Sequence, residues 1–176
     1  MLLTPGERIK IRTEHDSLNF PSEISGSEGT ELLVSYNREL LKAINRLKSL
    51  SDIYDRNIGK PTLPSVIDSL DLLAQSYLNE INRYTKEFID RNITSLVSLM
   101  AIYQQVAPNV NVIDPSRDIA YFQKVDSSLY SRYPHYDQVM IFHDKVAELT
   151  ARYGEPGTDT GGPDKRMTAP EISLPS

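Results

Sequence analysis

Three histidines, His15, His135 and His143, are the side chains in this sequence best suited to proton transfer or metal binding. His135 and His143 lie eight residues apart, about two helical turns, so one helix would place both on roughly one face. A zinc pair on a helix usually sits four residues apart, and a site here would need a third ligand from Asp137 or Asp144. Surface or capping histidines are the simpler reading. His15-Asp16-Ser17 contains the residue types of a hydrolase triad, but consecutive residues in a turn cannot line up as base, orienter and nucleophile. Asp68 and Asp71, one turn apart, read as solubilising charge rather than as an acid–base pair. Gly26-Ser27-Glu28-Gly29 lacks the Gly-Lys-Ser/Thr of a phosphate loop and reads as a turn into a helix. Asn92-Ile93-Thr94 matches a glycosylation sequon, a pattern too frequent to carry an argument. The chain has no cysteine, which excludes disulfides, thiolate metal sites and thiol catalysis within it. No catalytic residue, metal ligand or cofactor is assigned from these patterns.

Ten tyrosines stand against four phenylalanines, and they concentrate towards the end of the chain. A tyrosine ring suits an interface, where an apolar body meets a wet edge. Tyr121, Tyr130, Tyr133 and Tyr136 are therefore the candidate partner surface. The competing reading is that these rings cap a helical core and keep their hydroxyls in water. The formal net charge of -5 disfavours nucleic acid and anionic membrane surfaces, both of which need clustered cations. The densest basic group, Lys42, Arg46 and Lys48, is interspersed with Glu39, Asp52 and Asp55 and reads as a solvated helix face. No run of about 18 apolar residues is present, so no span of a bilayer is expected. Met1 to Thr13 lacks the basic and apolar regions of a signal peptide, so an exported parent would carry its signal upstream.

The elements that would position these residues follow from periodicity. Ile9-Lys10-Ile11 and Phe20 to Ile24 read as short strands around turn residues, and two or three such strands do not make a free-standing sheet. The unpaired edge they leave makes pairing with a second copy of the chain an expectation. Ser27 reads as an N-cap, with Glu28 and Glu31 favourable at the positive end of a helix. Leu33, Tyr36, Leu40, Ala43, Leu47, Leu50 and Tyr54 recur at steps of three and four until Asn57 to Pro61 breaks the pattern. Val66, Leu70, Leu73, Tyr77, Ile81, Tyr84 and Phe88 form a second stripe, and the two helices should pack antiparallel.

Asn92 should end that helix and cap a short one with Leu96, Leu99, Met100 and Tyr103 on its apolar face. Pro108 to Asp114 reads as a loop, and Asp114-Pro115 as the start of a helix carrying Ile119, Phe122, Val125 and Leu129. A last helix carries Val139, Phe142, Val146 and Leu149 and ends at Gly154. From Glu155 to Asp164 there is no apolar residue, which suits a linker, and Met167 to Ser176 regains strand character. The sequence thus predicts a mainly α protein, a helical bundle built on a long antiparallel helix hairpin. It divides into a short N-terminal β segment (1–26), a helical domain (27–153) and a flexible C-terminal tail (154–176).

Several segments taken in order carry a family resemblance. They are Leu2 to Ile9, Ile24 to Leu33, Phe88 to Asn92 with Ser95-Leu96, Phe122 to Leu129, Tyr133-Pro134, and Ala169 to Pro175. Together they resemble the N-terminal region of a TlpA/ResA-like thiol-disulfide oxidoreductase lipoprotein. The last of them is similar to the strand that opens a thioredoxin-like domain. The family's Cys-x-x-Cys would lie downstream of Ser176, so none of its catalytic residues is carried onto this chain. The resemblance implies a non-catalytic accessory region of a cell-envelope redox enzyme, on the periplasmic side and anchored through an upstream lipoprotein signal. It would position the parent's thioredoxin-like domain, or that domain's thiol-containing client protein.

Overall fold

The computed structural model of the protein describes Lys10–Arg12, Glu23–Ser25 and residues 27–154. The triad-like His15-Asp16-Ser17 and the expected linker and strand-like end, 155–176, lie outside the described residues. Strands β1 (Lys10–Arg12) and β2 (Glu23–Ser25) pair antiparallel, with Ile11 opposite Ile24. The rest is mainly helical, as the periodicity requires.

Helix α1 (Glu28–Asp55) starts where expected. Ser27 is extended, and its hydroxyl oxygen accepts from the Thr30 amide at 3.4 Å and from the Thr30 hydroxyl at 3.3 Å. Glu28 and Glu31 occupy the first turn. The helix unwinds at Arg56, and Gly59 sits at φ 77°, a left-handed conformation that disfavours a side chain. Helix α2 (Leu63–Arg91) then runs back, with a proline in its first turn. Both helices are about 40 Å long at 1.5 Å per residue.

The register of this hairpin is set inside it. Tyr36 is fully buried, with its ring 4.9 Å from that of Phe88 and 6.1 Å from that of Tyr84. Its hydroxyl shares a 3.0 Å hydrogen bond with the equally buried Thr85 hydroxyl. A mismatch of one residue would strand both groups away from water.

Asn92 ends α2, its side-chain amide donating to the Phe88 carbonyl at 2.8 Å. It does not start the next helix. Helix α3 (Val97–Ile102) begins one turn later, with Leu96 at the N-cap position. Its buried face also differs from the expected one. Val97, Ser98, Leu99, Ala101 and Ile102 are buried, whereas Met100 and Tyr103 are exposed, because this short helix is covered on more than one side.

The segment read as a loop contains a small hairpin instead. Strands β3 (Gln105–Ala107) and β4 (Val110–Asn111) are joined at Pro108-Asn109, with Asn109 at φ 61°. Proline followed by a left-handed asparagine suits the central pair of a type II turn. The strand ends deliver Val112 and Ile113 into the core.

Helix α4 (Pro115–Arg132) follows the expected Asp114 cap, whose carboxylate accepts from the Ser116 amide at 2.9 Å. It is kinked at Asp118, which takes Lys86 at 2.6 Å and Asn82 at 3.1 Å and so pins α4 to α2. Helix α5 (Asp137–Tyr153) returns antiparallel to α4 and ends at Gly154, where a Cβ would come 2.5 Å from the Thr150 carbonyl oxygen. Phe122, Val125, Leu129, Val139, Phe142 and Val146 close the core between α4, α5 and the base of the hairpin.

Burial pushes the Tyr36 hydroxyl up to about 12 from its ordinary 10.0, against the lowering effect of Thr85. The unfolded chain therefore loses this proton first as pH rises. The stability tied to the neutral phenol is fully present below pH 10 and is lost as pH climbs towards 12. Urea unfolding should show wild-type stability falling by about 2–3 kcal/mol more over that window than Tyr36→Phe. At neutral pH, Tyr36→Phe alone should cost about 1–2 kcal/mol, and Tyr36→Phe with Thr85→Val should cost less than the two changes summed.

Candidate functional site

The four candidate tyrosines do not form one face. Tyr121 is half-buried, its hydroxyl donating to Asp90 at 3.3 Å while Lys86 and Lys124 approach its ring at 5.2 and 5.5 Å. Burial, and then the Asp90 carboxylate, raises its pKa above the ordinary tyrosine value. Lys124 closes the same cluster with a 2.8 Å ion pair to Asp90, which favours its charged form. Tyr133 is also half-buried, and its hydroxyl reaches the Thr94 carbonyl at 3.5 Å. These two rings brace α4 against α2 and the α2–α3 connection. Tyr130 and Tyr136, by contrast, are exposed and sit towards α5.

His143 is the histidine with built surroundings. Its Nδ1 lies 2.9 and 3.0 Å from the two Asp126 carboxylate oxygens, and its ring stacks on Tyr130 at 4.1 Å between centroids. Asp126 comes from α4 and lies seventeen positions away, so neither Asp137 nor Asp144 is the partner. His135 sits exposed in the turn before α5, not on the helix with His143. Among the described residues, no three His, Cys, Asp or Glu side chains are grouped to hold a metal ion. The carboxylate orients the imidazole, as in many acid–base sites, and leaves Nε2 without a protein partner among the described residues. Beside the pair, a shallow open depression of about 470 Å³ runs between α4 and α5, with Gln123 and Thr150 bonded at 3.1 Å on its wall.

A second feature was hidden in the stripe that predicted the hairpin. The core covers only the base of α1 and α2. Between residues 48 and 77, Leu50 is the one buried hydrophobic side chain. Tyr54 and Leu73, expected in the seam, are 39% and 43% exposed. Beyond Leu47 and Leu78 the two helices continue as an arm, for about 12 Å on α1 and about 22 Å on α2.

One face of this arm is marked by Arg46, which pairs with Glu80 at 2.7 Å and lies 5.4 Å from the Tyr77 ring centre. Steps of three and four from Arg46 lead along α1 through Leu50 and Ile53. The same steps back from Glu80 lead along α2 through Ser76, Leu73, Ser69 and Val66. Every one of these residues is uncharged. Lys48 and Asp55, two and nine positions beyond Arg46, turn to other sides of the helix. The period-based stripe could place these side chains on one side of each helix, but not reveal where the covering core stops.

No helix among the described residues is long and apolar enough to cross a membrane. Comparison with protein-family models, curated proteins and solved structures gives no match to this chain.

The division between body and arm has a measurable consequence. Leu129→Ala, in the fully buried body, should cost about 2–5 kcal/mol in urea unfolding. Leu73→Ser on the arm should stay within about 0.5–1 kcal/mol of wild type.

Proposed function

We propose that the chain is a non-catalytic accessory domain of a cell-envelope thiol-disulfide oxidoreductase, which holds a thioredoxin-like domain or its thiol-containing client through the hairpin arm. The observation that carries this reading is the uncharged face of the arm, running from Arg46 and Glu80 past Ile53 and Leu73. Depletion of charge with retained aliphatic side chains is the composition of an interface centre, not of an ordinary solvated helix. The arm stands clear of a body whose own core is closed, so it can be covered without unfolding anything. The resemblance of Leu2 to Ile9, Ile24 to Leu33 and Ala169 to Pro175 to segments of TlpA/ResA-like lipoproteins supplies the class of partner. Placement at the cell envelope, through a lipoprotein signal upstream, is part of the same proposal.

A second reading is favoured by one observation. Tyr130 and Tyr136 are exposed together on the α5 side, as an autonomous interaction module with a tyrosine-bearing face would have them.

Titration of a ¹⁵N-labelled thioredoxin-like domain of this family with the full chain separates the readings. Saturable shifts that are lost in Ile53→Glu and Leu73→Glu, and retained in Tyr130→Ala, support the accessory-domain reading. Binding that is lost in Tyr130→Ala and retained in Ile53→Glu and Leu73→Glu would overturn the role given to the arm. Absence of any shift would overturn the thioredoxin-like domain as the arm's partner. In an insulin-reduction assay the chain by itself should give no turnover.

A further inference from the structure

The geometry points to a nucleophilic site at His143, whose Nε2 takes an acyl group from a neutral ester with an aliphatic acyl chain. The site lies on the body and does not rest on the accessory-domain reading, which concerns the arm and disulfide chemistry.

The first observation is the way the imidazole is held. Its Nδ1 stands 2.9 and 3.0 Å from the two oxygens of Asp126. A carboxylate can only accept, so Nδ1 donates its proton to it and the neutral ring keeps its lone pair on Nε2. The Tyr130 ring stacks on His143 with 4.1 Å between centroids and 16° between planes. That stack fixes the rotation of the ring but leaves Nε2 reachable, because the lone pair lies in the ring plane. Nε2 has no hydrogen-bond partner among the described residues. The His143 side chain is 42% exposed, while that of Asp126 is only 13% exposed. A carboxylate in this place holds the imidazole in one tautomer and offsets the positive charge it acquires. The imidazole nitrogen is itself a nucleophile towards acyl carbon. His135 is the contrast, exposed in the turn before α5 and without an ion pair or hydrogen bond among the described residues.

The second observation is the surface beside the ring. His143 and Asp126 line the depression between α4 and α5, and Val146, Ala147 and Ala151 supply its aliphatic part. His143 and Ala151 are eight residues apart, about 12 Å along the helix. No lysine or arginine lines the depression. Arg152, next to Ala151, lies 5.3 Å from the Tyr153 ring centre, and Lys145 pairs with Glu148 at 2.7 Å. A phosphate or carboxylate finds no counter-charge in this lining, whereas an uncharged acyl chain finds aliphatic contacts.

The reaction is a two-step hydrolysis. The Nε2 lone pair adds to the ester carbonyl carbon, the C–O bond to the alcohol breaks, and the alkoxide leaves with that electron pair. His143 is then an N-acylimidazolium, its charge offset by Asp126 at Nδ1. Water adds to the acyl carbon, the C–N bond breaks, and its electrons return to Nε2. The acyl group leaves as the carboxylic acid, and the second proton of the water goes to the alkoxide to give the alcohol.

Two probes test this in the full chain. Diethyl pyrocarbonate, a small neutral acyl donor, should modify His143 faster than His135 in the same molecule by about fivefold or more, read by peptide mass spectrometry. Asp126→Asn keeps an acceptor oxygen for Nδ1 but removes the charge, and should bring His143 down to the rate of His135. Hydrolysis of p-nitrophenyl hexanoate should fall about tenfold or more in His143→Gln and stay unchanged in His135→Gln. Relative to free imidazole, the chain should favour the hexanoate over the acetate by about fivefold, and Ala147→Trp should erase that preference. Modification of His143 no faster than His135, or hexanoate hydrolysis by His143→Gln at the wild-type rate, would overturn the nucleophile. Unchanged reactivity of His143 in Asp126→Asn would overturn the role given to the carboxylate, and an ester preference equal to that of free imidazole would overturn the acyl slot.

Discussion

A single buried hydrogen bond, between the hydroxyls of Tyr36 and Thr85, fixes how the two longest helices meet. Both groups are fully buried, so each depends on the other for its polar partner. The aromatic contacts of Tyr36 with Tyr84 and Phe88 surround that bond and exclude water from it. With this register, Asn82 and Lys86 face Val112 and Asp118, and α4 takes its place along α2. From α4 the chain returns as α5, and the Asp126–His143 and Gln123–Thr150 contacts align that pair. Each later element is thus positioned by one already set by the hairpin.

The same register has a second effect. The helices are about 40 Å long, while the core built on them covers only their base, so the remainder projects as an arm. Nothing in the hydrophobic bookkeeping of the fold requires that extra length. Leu50 is the one buried hydrophobic side chain between residues 48 and 77, and the face through Ile53 and Leu73 carries no charge. A segment that projects beyond the core and keeps an uncharged face is most simply explained by what it touches.

Much of this architecture is legible in the sequence. Stripes at steps of three and four define α1, α2, α4 and α5, and Ser27, Asp114-Pro115 and Gly154 mark ends because each satisfies a local backbone requirement. The β3–β4 hairpin escaped because two short strands around Pro108-Asn109 carry no periodic signal, only turn chemistry. The buried face of α3 is not legible in the sequence, because six residues covered from several directions have no single apolar side. The arm was invisible because periodicity reports which side of a helix is apolar, not whether anything lies against it. The Asp126–His143 pair is a contact across α4 and α5 that no local spacing contains. The division of these tyrosines between bracing and exposure depends on the packing of α4, which no local spacing contains.

The role proposed for the arm is to be covered by a thioredoxin-like domain or by its client, and the first of these is open to direct test. The most direct measurement is amide hydrogen exchange across residues 48–77, in this chain alone and in a longer chain where a thioredoxin-like domain follows it. The account predicts fast exchange on the arm in the isolated chain and protection of the same amides in the longer one, with the body unchanged. Equal exchange of the arm in both would contradict it.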